Sequence, residues 1–276
     1  MNTAAPSPFP EVRHVAATAP LQWLRGGLGD LLAAPLPSLF YGAAFAIMGW
    51  ALHFVFGHAY EYTSSLAAGF LLMGPFLCIG LYEISRRIEL GRTIALRATL
   101  VAWRPNLGAI SFFTLLLTGI TLVWARASLV IFALFFSDGL PTVSKLLERV
   151  VSLEHWDFVV TYFGVGAGFA TLVYAIGVVS MPLMLDRGTD TVVAAITSVR
   201  ACTENPGALA LWAFLIVVLV GAGFATLYVG LVVTAPLVGH ASWHAYRAVL
   251  GAGGVDPAHA ADAAIAAPGA VTPPAP

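Results

Sequence analysis

The chain has 276 residues and a net charge of -1, but 59% of it is hydrophobic and only 10% charged, with a mean hydropathy of +0.87. That profile excludes an ordinary water-soluble domain, because a core of this size cannot bury so much apolar surface. The net charge carries no argument for nucleic acid; where the charges lie is the informative part. Of 13 basic residues 12 are arginine. Cys78 falls in an apolar stretch and Cys202 far from it in a loop, so a disulfide framework is not expected.

Residues 1–20 open on Pro6, Pro8 and Pro10, lack the basic head and apolar stretch of a cleavable signal, and read as a disordered N-terminal segment. A membrane domain is expected over 21–250. A hydrocarbon core about 30 Å thick takes roughly 20 helical residues, and the apolar runs give six spans at about 36–56, 64–84, 107–128, 158–185, 207–220 and 224–246. In the third, Arg126 is expected to reach toward the far headgroups, with the Phe-rich stretch after Ser128 lying at that interface. Residues Gly207–Tyr246 are twice too long for one crossing, and Gly221-Ala222-Gly223 is the expected turn between spans five and six. Ser137–Asp157 mixes charge signs and reads as a short surface helix. The segment 251–276 is an Ala/Gly/Pro tail, read as disordered.

Arg13, Arg25, Arg86, Arg87, Arg92, Arg97, Arg104, Arg187, Arg200 and Arg247, ten of the 13 basic residues, share one side of a six-span arrangement. The positive-inside rule then places both termini in the cytoplasm.

Three times an amphipathic segment runs into a break and then a hairpin of spans. Leu24, Leu28 and Leu31 precede Ala34-Pro35; Leu96, Leu100 and Trp103 precede Asn106-Leu107-Gly108; Ala195, Val199 and Cys202 precede Asn205-Pro206-Gly207. Each trio lies on one helix face and suits a membrane interface. Pro35, Pro75, Pro182, Pro206 and Pro236 are expected to break helices, since proline lacks the N–H and clashes with the preceding turn. Counting from Pro75, Pro182 and Pro236, position +4 is Ile79, Asp186 and His240. Position +8 is Glu83 and His244 in the outer two hairpins, and +11 is Arg86 and Arg247. These offsets fall along one helical stripe. The fold class expected is therefore an all-α membrane protein of six transmembrane helices in three hairpins, each preceded by a short interfacial amphipathic helix.

The Gly80-Leu-Tyr-Glu-Ile-Ser-Arg-Arg87 end of span two, the Asn205-Pro-Gly207 turn and the Gly239-His-Ala-Ser-Trp-His-Ala-Tyr-Arg247 end of span six resemble a bacterial family of predicted integral membrane proteins, Domain of Unknown Function 2189. The resemblance covers about Leu21–Leu250. At the second break the chain reads Arg104-Pro-Asn-Leu-Gly108 where the family has Arg-Asn-Pro. A six-span protein of the bacterial inner membrane is implied, with no activity attached.

If the hairpins pack around a common axis, Glu83, Arg86, Asp186, Arg187, His240, His244 and Arg247 converge on one polar cluster facing the cytoplasm, which would mark a substrate path or a partner socket. The alternative is separate helix-end pairs, Glu83 with Arg86 and Arg87, and Asp186 with Arg187. His240 and His244 are one turn apart and are weak candidates for a metal, but no glutamate follows the first histidine and a third ligand would have to come from Glu83 or Asp186. Three histidines in spans (His53, His240, His244) are too few for a haem-copper centre. Gly164 and Gly168 form a small-residue face for helix packing on span four. No catalytic constellation is recognised and no cofactor is expected. The expected role is a non-enzymatic membrane scaffold or assembly protein. The alternatives are a small-molecule or ion transporter or channel built on the polar cluster, and behind it a metal- or haem-dependent enzyme. The expected partners are the lipid bilayer and other membrane proteins, and no nucleic acid.

Overall fold

A computed structural model describes residues 9–58, 63–136 and 156–251. The expected surface helix over Ser137–Asp157, save its last two residues, lies outside them, as does the tail beyond Gly251. All regular structure among the described residues is helical: α1 Ala19–Ala33, α2 Pro35–His58, α3 Thr63–Glu89, α4 Leu96–Leu100, α5 Leu107–Phe135, α6 Trp156–Gly177, α7 Ser180–Arg187, α8 Thr191–Glu204, α9 Pro206–Ala225 and α10 Leu231–Leu250. Among the described residues Pro35–His58, Leu96–Phe135, Trp156–Arg187 and Pro206–Ala225 are long and apolar enough to cross a bilayer. Helices α3 and α10 have 27 and 20 residues, but their C-terminal turns carry Glu83, Arg86 and Arg87 in one and His240, His244 and Arg247 in the other.

Helix α10 is the hub. It packs against α1, α2, α3, α7 and α9, and its second half, from Gly239 to Leu250, is almost continuously buried. Helices α5 and α6 pack on each other, and α6 also rests on α8.

The prolines act less uniformly than expected. Pro35 and Pro206 sit in the first turns of α2 and α9, where the missing N–H costs nothing. Pro75 and Pro236 do not break their helices, which run on through them. A proline inside a helix frees the carbonyl four residues earlier, and in an apolar setting neighbouring helices can take it up. Pro236 frees Val232, whose carbonyl lies against Gly42 of α2 so closely that a Cβ at Gly42 would overlap it. That approach suits a Cα–H···O contact between helices. At Pro182 the chain does break: α6 ends at Gly177 and α7 starts at Ser180, so the expected single span over 158–185 is two helices.

Other boundaries also move. Helix α5 runs 29 residues to Phe135, about 43 Å, so the Phe-rich stretch continues the same helix instead of forming a separate segment after Ser128. Helix α9 passes through Gly221-Ala222-Gly223 without turning. Gly223 is needed for packing, since a Cβ there would strike Leu231 and Thr234. The turn to α10 comes at Thr226–Gly230, where Leu227 and Tyr228 take positive φ (52° and 69°) and the Gly230 N–H donates to Thr226 Oγ1 at 2.8 Å. On α6, Gly166 and not Gly164 or Gly168 meets a neighbour, the ring of Trp124 on α5.

Of the three amphipathic segments, α1 and α8 are full helices, and the second shrinks to the five residues of α4 and a 3-10 turn at Arg104–Asn106. Helix α1 buries Trp23, Gly27, Asp30 and Leu31 and turns Leu21, Leu28 and Leu32 outward, so the trio Leu24, Leu28 and Leu31 does not form one face. Helix α8 exposes Val192, Ile196 and Val199.

Residues 9–18 depart from the expected disordered segment. Val12 is buried, and the Arg13 N–H donates to the Val249 carbonyl at 2.7 Å. Asn205 holds the same strap, its Oδ1 accepting from Val15 N–H at 2.8 Å and its Nδ2 donating to Arg13 O at 3.0 Å. Asn106, at the matching place in the second repeat, donates from Nδ2 to Met184 O (3.1 Å) and Thr189 O (2.9 Å). In both places the asparagine serves as a side-chain stand-in for backbone, tying a distant segment to the start of α5 or α9.

Candidate functional site

The C-terminal ends of α3, α7 and α10 meet, and with them five of the seven predicted cluster residues. Glu83 Oε1 accepts from Arg87 Nε at 2.7 Å and its Oε2 from Arg86 Nη1 at 3.3 Å. Arg86 then reaches across to α7, donating from Nε to Asp186 Oδ1 at 3.2 Å. Asp186 Oδ2 accepts from Arg247 Nη1 at 3.2 Å and from the Tyr246 hydroxyl at 2.6 Å, both on α10. Arg247 closes the path back to α3 with Nε on Glu89 Oε1 at 3.0 Å and a second contact from Nη2, while Trp243 Nε1 donates to Glu89 Oε2 at 3.0 Å. Arg187 joins from the side, with Nε on the Tyr246 oxygen at 3.2 Å and Nη2 on the Leu250 carbonyl at 2.9 Å.

The chemistry of this arrangement follows from its occupancy. Every carboxylate oxygen of Glu83, Asp186 and Glu89 already accepts from a side chain of the network. Three acids face four arginines, and the Asp186 pairs are mostly buried, with side chains 13–19% exposed. A lattice so filled holds helices together; it leaves no carboxylate oxygen spare for a ligand.

His240 and His244 do not join it. His240 is fully buried and lies between α2 and α3, Nε2 against Ser38 Oγ at 2.9 Å and Nδ1 against Ser85 Oγ at 2.8 Å. Ser38 Oγ also donates to Ala34 O at 2.7 Å. His244 faces the other way, its Nε2 2.9 Å from Asp30 Oδ2 on α1. One turn of helix separates the two rings along the axis, yet they serve different neighbours. With both His240 nitrogens engaged by hydroxyls, the pair offers no shared metal position, and among the described residues no group of three His, Cys, Asp or Glu could hold one.

Glu89, Trp243 and Tyr246 were not anticipated. Glu89 falls at +14 from Pro75 on the stripe of Glu83 and Arg86, so the register that located those two also reaches it. Asp30 sits seven residues after Trp23 on the face α1 buries, an acid on an otherwise apolar stripe. Ser38 and Ser85 carry no sequence signal.

Two large cavities lie outside this network. One, about 530 Å³, runs between α2, α3, α9 and α10 and is lined by Phe45, Met48, Phe70, Cys78, Tyr82 and Ala235 among others. The other, about 550 Å³, lies between α6, α8 and α9 and includes Tyr174, Cys202, Leu209 and Ile216. Both linings are almost wholly apolar. Burial pushes the Cys202 thiol up to about 11, which keeps it protonated and inert.

Comparison with known proteins agrees with the helical, apolar architecture. Residues 63–186 match the sequence model of Domain of Unknown Function 2189, described as a predicted integral membrane protein. The matched stretch contains Gly80–Arg87 and Asp186 and stops short of Asn205–Gly207 and Gly239–Arg247. No curated protein and no solved structure gives a match.

Proposed function

Starting from that family of predicted integral membrane proteins, we propose that this chain is a six-span, non-enzymatic scaffold or assembly protein of the bacterial inner membrane, with both termini in the cytoplasm. The spans are α2, α3, α5, α6 with α7, α9 and α10, paired as three hairpins. The arginine-bearing ends of α3, α7 and α10 face the cytoplasm together, as the positive-inside rule requires.

One observation carries the scaffold reading: the ion-pair network is complete within itself. A transporter needs polar groups left free to take and release a substrate near membrane depth. Here Asp186 and Glu89 spend their oxygens joining α3, α7 and α10, and Glu83 spends its own on Arg86 and Arg87 of α3, of which Arg86 goes on to Asp186. The two large cavities are apolar and suit acyl chains or apolar helices of other membrane proteins better than an ion or a polar solute.

Two measurements test this. Reporter fusions after Glu61 and Glu148 should read as exported and after Arg97 and Arg200 as retained; reversal at any one overturns the six-span arrangement. In a Cys202→Ser background, Cys78 should resist a membrane-impermeant thiol reagent from both faces of sealed vesicles and react after denaturation. Labelling from either face would reveal an aqueous path to the middle of the bilayer and favour transport.

A further inference from the structure

The arginines divide into two populations. Arg86, Arg87, Arg187 and Arg247 are locked in the network, and Arg200 pairs with Glu204. Arg92, Arg97 and Arg104, in the connection between α3 and α5, are exposed and, like Arg13, Arg25 and Arg126 elsewhere, form no ion pair among the described residues. No acidic residue occurs between Glu89 and Asp138, so this segment carries three uncompensated positive charges.

The segment is held firmly in place. Helix α3 ends in a Schellman motif, with Arg92 N–H on Arg87 O at 2.8 Å, Gly91 N–H on Ile88 O at 3.0 Å, and Gly91 in the left-handed region at φ 62°. Arg87 Nη1 donates to Thr93 O at 2.9 Å, Tyr41 and Thr99 share a hydroxyl hydrogen bond at 2.9 Å, and Asn106 ties the far end to the α7–α8 connection. From this platform the arginines alternate with exposed Leu90, Leu100 and Leu107, and Arg104 lies over the Trp103 ring with its guanidinium carbon 5.8 Å from the ring centre. Leu107 opens α5, whose exposed Phe112 and Leu115 continue the apolar surface into the hydrocarbon.

We propose that this platform is a recognition surface for anionic phospholipid headgroups, with Arg92, Arg97 and Arg104 taking the phosphates, Leu90, Leu100 and Leu107 entering the upper acyl region, and Trp103, half-buried against Phe76, at the edge of that contact. Two features support the lipid as occupant: charge complementarity with an anionic leaflet, and continuity with the lipid-facing side of α5. The surface rests on the membrane reading given above, with this end at the bilayer interface.

The test uses the full chain in nanodiscs whose lipids are brominated in the upper acyl chain, taking Trp103 fluorescence as the difference between the wild type and Trp103→Phe. Quenching by brominated phosphatidylglycerol should exceed that by brominated phosphatidylcholine, with a relative affinity of about fivefold or more, the worth of one arginine at an anionic surface. Arg92→Gln, Arg97→Gln and Arg104→Gln combined should abolish the preference, and the three lysine substitutions should retain it. Equal quenching by the two lipids in the wild type overturns the proposal while leaving the membrane reading intact. Absence of quenching by either overturns both. Loss of the preference on adding inorganic phosphate at physiological ionic strength would show a soluble anion to be the ligand, and would also overturn it.

Discussion

The two ends of the helical assembly are held together by different physics. At the arginine-bearing end, α1, α2, α3, α8 and α10 bury serines, a histidine, the Asn205 side chain and the carboxylates of Asp30 and Glu83, with Asp186 of α7 mostly buried beside them, in a dense set of side-chain hydrogen bonds. At the opposite end of α5 and α6, cohesion comes from rings: Phe132, Phe135, Phe136, Phe158 and Tyr162 pack with centroids 4.9–5.9 Å apart. Between the ends the helices bury little. Only 11% of the most apolar window of α2 and 22% of that of α9 are inside the assembly. Lipid tails are as apolar as leucine, so a spanning helix gains little from burying leucine against another. Specific association must then come from polar bonds and close backbone approach, and both are concentrated toward one end.

If that contrast is right, sensitivity to substitution should be graded along the axis. The largest effect belongs to Asp186→Ala, which removes the acceptor shared by Arg86, Arg247 and the Tyr246 hydroxyl in a mostly buried site. A loss of about 3–5 kcal/mol is expected, seen as a sharp fall in melting temperature in detergent; an unchanged melting point would mean the network does not hold α7 to α3 and α10. Gly42→Ala follows. Its methyl would push α2 off the Val232 carbonyl and cost about 1–3 kcal/mol, whereas Gly69→Ala, with open space around it, should be silent. Equal tolerance of the two would remove the close crossing of α2 and α10. Ser85→Ala leaves one nitrogen of a fully buried His240 without its hydroxyl, for about 1–3 kcal/mol; Ser85→Thr, which keeps the hydroxyl, should lose less in the same melt. Smallest is Glu204→Gln, which removes an exposed pair one helical turn long, worth about 0.3–0.5 kcal/mol. A larger loss there would show that the end is sensitive throughout and not only where it is buried.

Much of this was legible in the sequence because membranes impose a length and a sign. Apolar runs located the long helices, and arginine placement set the polar end apart. The register from Pro75, Pro182 and Pro236 brought Glu83, Arg86, Asp186 and Arg247 into one neighbourhood. It failed for His240 and His244, because a stripe that is straight on one helix meets different partners along its length, and α1 was not foreseen as one of them. The readings of Pro75 and Pro236 as helix breaks failed for a related reason. Whether a proline breaks a helix depends on who receives the carbonyl it frees, and Gly42 on another helix is such a receiver. The turn misplaced at Gly221–Gly223 shows glycine selected for closeness to Leu231 and Thr234 instead of for bending.

The seat of α1 has a consequence for biosynthesis. Its buried face rests chiefly on α10, Asp30 reaches His244, and the strap before it is tied to Asn205 and Val249. Helix α1 thus meets its main partner only once the 214 residues that separate Asp30 from His244 have been added, and until then an acid and a tryptophan wait without their mates. Such long-range closure is slow and leaves the nascent protein open to quality-control proteases. Helix α10 is therefore the checkpoint of assembly, and a chain released before Leu231 is translated would lack the main seat of α1.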